Sequence, residues 1–122
     1  MIDRLYERIG GRPKINAAVD LFYRKVRADE KLRDFFDDLD MDHLRSRQSM
    51  FLSMLVGGEI VYTGRDIRTA HARPRGKGLS DTHFDALLKH FQTSLEELGI
   101  AAEVVSEVMM LLEGTRDEVL DR

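Results

Sequence analysis

The chain has 122 residues, enough for one domain around a single hydrophobic core. It contains no cysteine, which excludes disulfides, Cys-ligated zinc, iron–sulfur clusters and cysteine nucleophiles. The formal net charge of −3 offers no basic surface for nucleic acid, and no run approaches the roughly 20 apolar residues of a membrane span. Composition therefore predicts a soluble cytoplasmic domain without nucleic-acid or membrane partners, and it does not indicate a function.

Apolar residues recur at helical spacing through most of the chain, and no strand-like alternation of useful length occurs. The first helix is predicted to end at the glycine pair 10–11, and Pro13 suits the first turn of the second. Ser80 is a favourable N-cap for a later helix, and Gly99 follows its last turn. The predicted fold class is all-α, with helices over residues 2–9, 13–28, 30–36, 40–56, 65–72, 81–98 and 101–120.

One predicted helix, residues 65–72, is short and poor in core residues. Its apolar positions are Ile67, Ala70 and little else, and Pro74 follows soon after. Because its own packing is weak, another interaction should hold it, and a bond from His71 to a cofactor is one candidate. The alternative is that His71 is an ordinary surface histidine in a mobile connection.

Two polar residues lie on helical stripes that are otherwise apolar. Tyr23 follows Phe22 on the inward face of the second helix, and Gln48 lies midway between Leu44 and Leu52. A buried amide or hydroxyl without a partner costs about 1–3 kcal/mol, so each side chain needs a hydrogen bond. They either bond each other or the backbone, or they are the few polar groups of an apolar ligand pocket.

Several short motifs, taken in order, resemble the group I (N) truncated haemoglobins. They are LYERIGG (5–11), DLFYRKVRADEKLRDFF (20–36), LRSRQSMFL (44–52), GGEIVYTG (57–64), TAH (69–71) and DTHFDALLKHFQTSLEELGI (81–100). The resemblance implies a two-over-two helical sandwich, with residues 1–122 forming a single globin domain that binds haem b.

The resemblance also assigns roles to individual residues. His71 falls at the position of the proximal iron ligand, and Tyr23, Leu44 and Gln48 fall at the distal, ligand-facing positions. Phe36 matches the aromatic residue that packs on the porphyrin, and the positions near a haem propionate are those of Arg47 and Tyr62. The remaining predicted wall residues are Phe22, Phe35, Phe51, Leu52, Ile67, Phe84, Leu87 and Leu112.

The function implied by the resemblance is binding of dioxygen, nitric oxide, carbon monoxide or similar small ligands by a monomer or weak dimer. A nitric oxide dioxygenase or peroxidase-type activity is a further hypothesis that needs an external reductase. The alternative is a haem-free, globin-like interaction or regulatory domain. Its motivation is segment 72–80, which is longer than the family's usual link after the proximal histidine.

Overall fold

The computed structural model describes residues 5–36, 39–57 and 78–120. Every regular element in these ranges is helical, which confirms the predicted all-α class. None of these helices is long and apolar enough to cross a membrane. The predicted helix at 65–72 and most of the preceding loop lie outside the described residues. The elements are α1 (Leu5–Ile9), α2 (Gly11–Ala28), a 3-10 turn (Arg33–Phe35), α3 (Met41–Leu55), α4 (Asp81–Glu97), α5 (Ala102–Glu113) and α6 (Arg116–Leu120).

The corner between α1 and α2 depends on Gly10. Its φ of 116° lies in the left-handed region, which glycine adopts without the clash that a Cβ would cause. The chain can therefore leave α1 and begin α2 within one residue. The end of α3 supports the same corner, because the Tyr6 amide donates a hydrogen bond to the carbonyl of Val56 at 3.0 Å.

Helix α2 is the centre of the fold and packs against both α3 and α4. Helix α5 packs on α4, and α1 contacts both α2 and α5. The inward face of α2 follows the predicted stripe, since residues three and four apart lie on one side of a helix. Its buried residues are Ile15, Ala18, Val19, Phe22, Tyr23 and Val26.

Side-chain caps fix where α3 and α4 begin. Asp40 accepts hydrogen bonds from the amides of Asp42 at 3.0 Å and His43 at 3.3 Å. Ser80 caps α4, as predicted, and forms a capping box in which its amide donates to Nδ1 of His83 at 3.1 Å. The first residues of both helices are thereby held close to the segments that precede them.

Two predicted helices were wrong in extent. Residues 30–36 contain only the 3-10 turn, because the Asp29 carboxylate accepts the Lys31 amide at 2.9 Å and favours a turn over an α-helix. The last predicted helix is two helices, α5 and α6. The chain tightens between them, where both the amide and the hydroxyl of Thr115 bond the Leu112 carbonyl, at 3.0 and 2.7 Å.

Candidate functional site

A cavity lies among α2, α3, α4 and the C-terminal residues. It contains about 640 Å³ of space free of protein atoms, including the part open to solvent. The described lining is almost entirely apolar and consists of Phe22, Tyr23, Phe36, Gln48, Phe51, Leu79, Phe84, Leu87, Leu88, Phe91, Leu112, Thr115 and Val119.

Contacts between aromatic rings hold one wall of the cavity in place. The Phe22 ring lies 4.5 Å from the ring of Phe91 and 4.9 Å from that of Tyr23, measured between centroids. Tyr23 in turn meets Phe36 edge-on at 6.0 Å. Such arrangements suit the charge distribution of aromatic rings, so each ring restricts the orientation of the next. This wall therefore joins α2 and α4 to the 3-10 turn.

Three of the described lining residues, Tyr23, Gln48 and Thr115, are polar. The Thr115 hydroxyl donates to the Leu112 carbonyl. Within the described ranges, neither the Tyr23 hydroxyl nor the Gln48 amide makes a side-chain hydrogen bond. Tyr23 is nevertheless only 3% exposed. The hypothesis that these two residues bond each other or the backbone is therefore not supported, and both are available to a ligand in the cavity.

Burial sets the protonation state of Tyr23. Removing the phenol from water raises its pKa far above the ordinary value, and the nearby charge of Arg45 lowers it by a smaller amount. Arg45 itself is held by Asp20 at 3.3 Å and Asp42 at 3.0 Å. The Tyr23 hydroxyl consequently keeps its proton well above neutral pH and can donate a hydrogen bond.

Eight of the predicted site residues line this cavity, and four others are outside its described lining. The Phe35 ring packs against the His83 ring at 4.8 Å. Leu52 is fully buried in the core, Leu44 is partly buried against it, and Arg47 is exposed. The predicted site residues that line the cavity are Phe22, Tyr23, Phe36, Gln48, Phe51, Phe84, Leu87 and Leu112.

Three predicted site residues, Tyr62, Ile67 and His71, lie outside the described residues. Sequence reasoning also missed five that line the cavity. Leu88, Phe91 and Val119 could have been included, because they continue the inward stripes of their helices. Leu79 precedes the α4 cap and Thr115 lies at the break before α6, and neither position carries a pattern that marks it as facing a cavity.

The chain matches the family model described as "Bacterial-like globin" over residues 4–121. It belongs to the bacterial-like globins. It is 41% identical to the group 1 truncated haemoglobin of Tetrahymena pyriformis over 97% of this chain and 95% of that protein. It is 38% identical to the group 1 truncated haemoglobin of Synechocystis sp. over 85% of each chain.

Solved structures confirm the arrangement of the helices in this truncated globin. The 2/2 haemoglobin of Synechococcus sp. PCC 7002, described in the cyanomet state with covalently attached haem, superposes with a TM-score of 0.92. The two sequences are 35% identical, and the match covers 98% of this chain and 100% of that one. The predicted two-over-two helical sandwich is therefore correct, and the cavity lies within a truncated-haemoglobin fold.

Proposed function

We propose that this truncated globin binds haem b without a covalent link and, through it, dioxygen, nitric oxide, carbon monoxide or similar ligands. In this proposal residues 1–122 form one haem-binding domain. The main support is the apolar, aromatic cavity, whose lining includes the polar side chains of Tyr23 and Gln48. Neither side chain has a hydrogen-bond partner in the described ranges. Such a cavity suits a large, flat, apolar group that positions a small polar ligand.

The described lining residues fit haem in their chemical character. Phe36, Phe84 and Leu87 would pack on the porphyrin, and no charged side chain is among the described lining. The propionates would therefore lie toward solvent, where Arg47 and Tyr62 are the proposed partners. His71 is the proposed iron ligand, since neutral imidazole ligates haem iron. A non-covalent site is proposed because the resemblance implies that a covalent histidine–haem link requires a later histidine, and this chain has no histidine after His90.

The bound iron would supply the binding site for the diatomic ligand, and this chain's own residues would control that ligand's environment. Tyr23, kept protonated by burial, would donate a hydrogen bond to a ligand with partial negative charge. Gln48 would donate a second bond from its amide. Leu44 is a proposed steric boundary, and the rings of Phe22 and Phe51 would exclude water.

A nitric oxide dioxygenase or peroxidase-type reaction would use the same residues but would also require a reductase that restores ferrous iron. Reversible ligand binding requires only the cavity and its donors. We therefore propose binding as the primary function, with a redox reaction as its extension when a reductase is present.

Titration of the haem-free protein with haemin tests the proposal. We expect a Soret band that saturates at one haem per chain and that shifts when the reduced protein is exposed to carbon monoxide. Saturation and the carbon monoxide shift distinguish a specific site from haem adsorbed to the surface. A protein that gains no Soret band beyond that of free haemin would instead be a haem-free interaction domain.

A further inference from the structure

Arg116, the first residue of α6, joins three helices through ion pairs. Its Nη1 lies 2.9 Å from Asp81 and its Nη2 lies 2.5 Å from Asp85, both on α4. Its Nε and Nη2 also bind the two carboxylate oxygens of Glu113, at the end of α5, at 2.6 and 2.8 Å. Only 17% of the Arg116 side chain is exposed, although its partners are about half exposed or more.

The same guanidinium lies over the ring of Phe84, with Cζ 4.7 Å from the ring centroid. Phe84 is 5% exposed and lines the cavity. Two further lining residues are close to Arg116 in the sequence. Thr115 immediately precedes it, and Val119 follows it by about one helical turn. Arg116 therefore packs against the back of the cavity wall and does not itself line the cavity.

The chemistry of this cluster requires arginine. Its planar guanidinium presents five donors in a fixed fork, so it can bind three carboxylates in its plane and still stack its face on an aromatic ring. The hydrogen bond from Arg116 is the main reason that the pKa of Glu113 is held below its ordinary value. A lysine at this position would keep the charge but lose the fork and the stacked plane.

We infer that Arg116 is a positioning residue for the cavity: it holds the Phe84 ring and α6 in place so that bound haem is retained. The inference rests on the proposed haem binding. Without the guanidinium, Phe84 can change its ring orientation and α6 can move away from α4, and both changes open the wall formed by Phe84, Thr115 and Val119.

Transfer of haem to excess apomyoglobin measures this effect. Arg116→Met should release haem at least about fivefold faster than the wild type, which corresponds to roughly 1 kcal/mol. The haem-loss rate of Arg116→Lys should lie between those of the wild type and Arg116→Met. Arg8→Met is the matched control, because it removes the same charge from the Glu107 ion pair, which joins α1 to α5 away from the cavity. Its haem-loss rate should stay within about twofold of the wild type.

A second measurement separates positioning from a general loss of stability. In a Phe84→Leu background, Arg116→Met should accelerate haem loss much less than it does beside Phe84, because the coupled ring is gone. Thermal unfolding of the haem-free proteins, with Val105→Ala as a destabilised control outside the cavity, shows how much of any effect is global. If Arg116 positions the cavity wall, the Arg116→Met variant loses haem faster than a control variant that has the same melting temperature.

A haem-loss rate of Arg116→Met equal to that of the wild type would overturn the inference. It would also be overturned if Arg116→Met accelerated haem loss as much in the Phe84→Leu background as in the wild type. Both results leave haem binding itself intact. A wild-type protein that takes up no haem would overturn the proposed function and the inference together.

Discussion

At the scale of single residues, the most informative feature is a buried phenol whose hydroxyl has no hydrogen-bond partner in the described ranges. A structural core tyrosine normally bonds its hydroxyl to a carbonyl or another side chain. Tyr23 instead lines the cavity beside Gln48, and burial raises its pKa so that the proton is retained. A donor kept free and protonated in an apolar cavity is suited to a ligand whose outer atom carries partial negative charge.

Replacing Tyr23 by phenylalanine should therefore speed dioxygen release without weakening the fold. A hydrogen bond to a charged acceptor contributes roughly 1.5–3 kcal/mol, an upper range here because the charge is partial, and this predicts at least about a tenfold faster off-rate. The less polar carbon monoxide should respond far less. Stopped-flow dissociation measures both rates, and thermal unfolding should show no loss because the hydroxyl has no described partner.

Tyr6→Phe is the control for that substitution, since Tyr6 is a half-buried tyrosine on α1 outside the described lining. Gln48→Leu should have a smaller effect than Tyr23→Phe. The double variant should fall short of the product, because both donors act on one ligand. An unchanged dioxygen off-rate in Tyr23→Phe would show that Tyr23 is only a core residue.

At the scale of elements, one polar contact fastens the end of α2 to α4. Oδ2 of Asp29 lies 2.8 Å from Nε2 of His90, and Oδ1 accepts the Lys31 amide at 2.9 Å. The bond from His90 is the larger cause and that from Lys31 the second cause of the lowered pKa of Asp29. A carboxylate with a lowered pKa stabilises the fold above its unfolded-state pKa, and that contribution is lost as the pH falls through the folded-state value.

We expect Asp29→Asn to lower the free energy of unfolding by about 1 kcal/mol near neutral pH. The difference from the wild type should shrink below about pH 4, where protonation weakens the wild-type contact as well. Urea unfolding at several pH values measures it. Asp42→Asn is the control, because the Asp42 side chain is 94% exposed and, among the described residues, pairs with Arg45 in its own helix. A difference that stays constant down to strongly acidic pH would contradict this role of the carboxylate.

The helices themselves were largely predictable, because the longer ones repeat apolar residues with a helical period and two of them begin with a side-chain cap. Asp40 and Ser80 are examples, since both cap the helices that they precede. The 3-10 turn and the break at Thr115 were not predictable. Both depend on a side chain that competes for backbone hydrogen bonds, and that competition is decided by the surrounding packing. The packing of Arg116 behind the Phe84 ring was missed for the same reason, because it depends on α6 being a separate helix.

At the scale of the whole molecule, the cavity is lined by residues of every helix from α2 to α6. Filling it with haem should therefore stabilise the entire fold, since a ligand that binds only the native state raises its stability. We expect the haem-bound protein to melt at a higher temperature than the haem-free protein, by an amount that grows with haem affinity. Calorimetry of both forms measures the shift, and identical melting temperatures would show that haem is not held in the core.

The order of motifs along the sequence was enough to predict the family and the two-over-two arrangement, because both depend on the whole chain. The cavity was predictable only in part. Tyr23 and Gln48 were recognisable as polar breaks in apolar stripes, whereas Phe35 and Leu52 were assigned to the wall but pack elsewhere among the described residues. Spacing shows which face of a helix is buried, but it does not show whether that face meets a cavity or another helix.

The proposed bond from His71 to the haem iron is tested most directly by the absorption spectrum of the reconstituted His71→Ala variant. We predict that this variant loses the Soret band of the wild type or shows only weak, heterogeneous haem. His43→Ala, which alters an exposed histidine on α3, should keep the wild-type spectrum. His83→Ala and His90→Ala should also keep it, although they remove contacts that stabilise α4. A wild-type spectrum in His71→Ala would show that His71 is not the iron ligand.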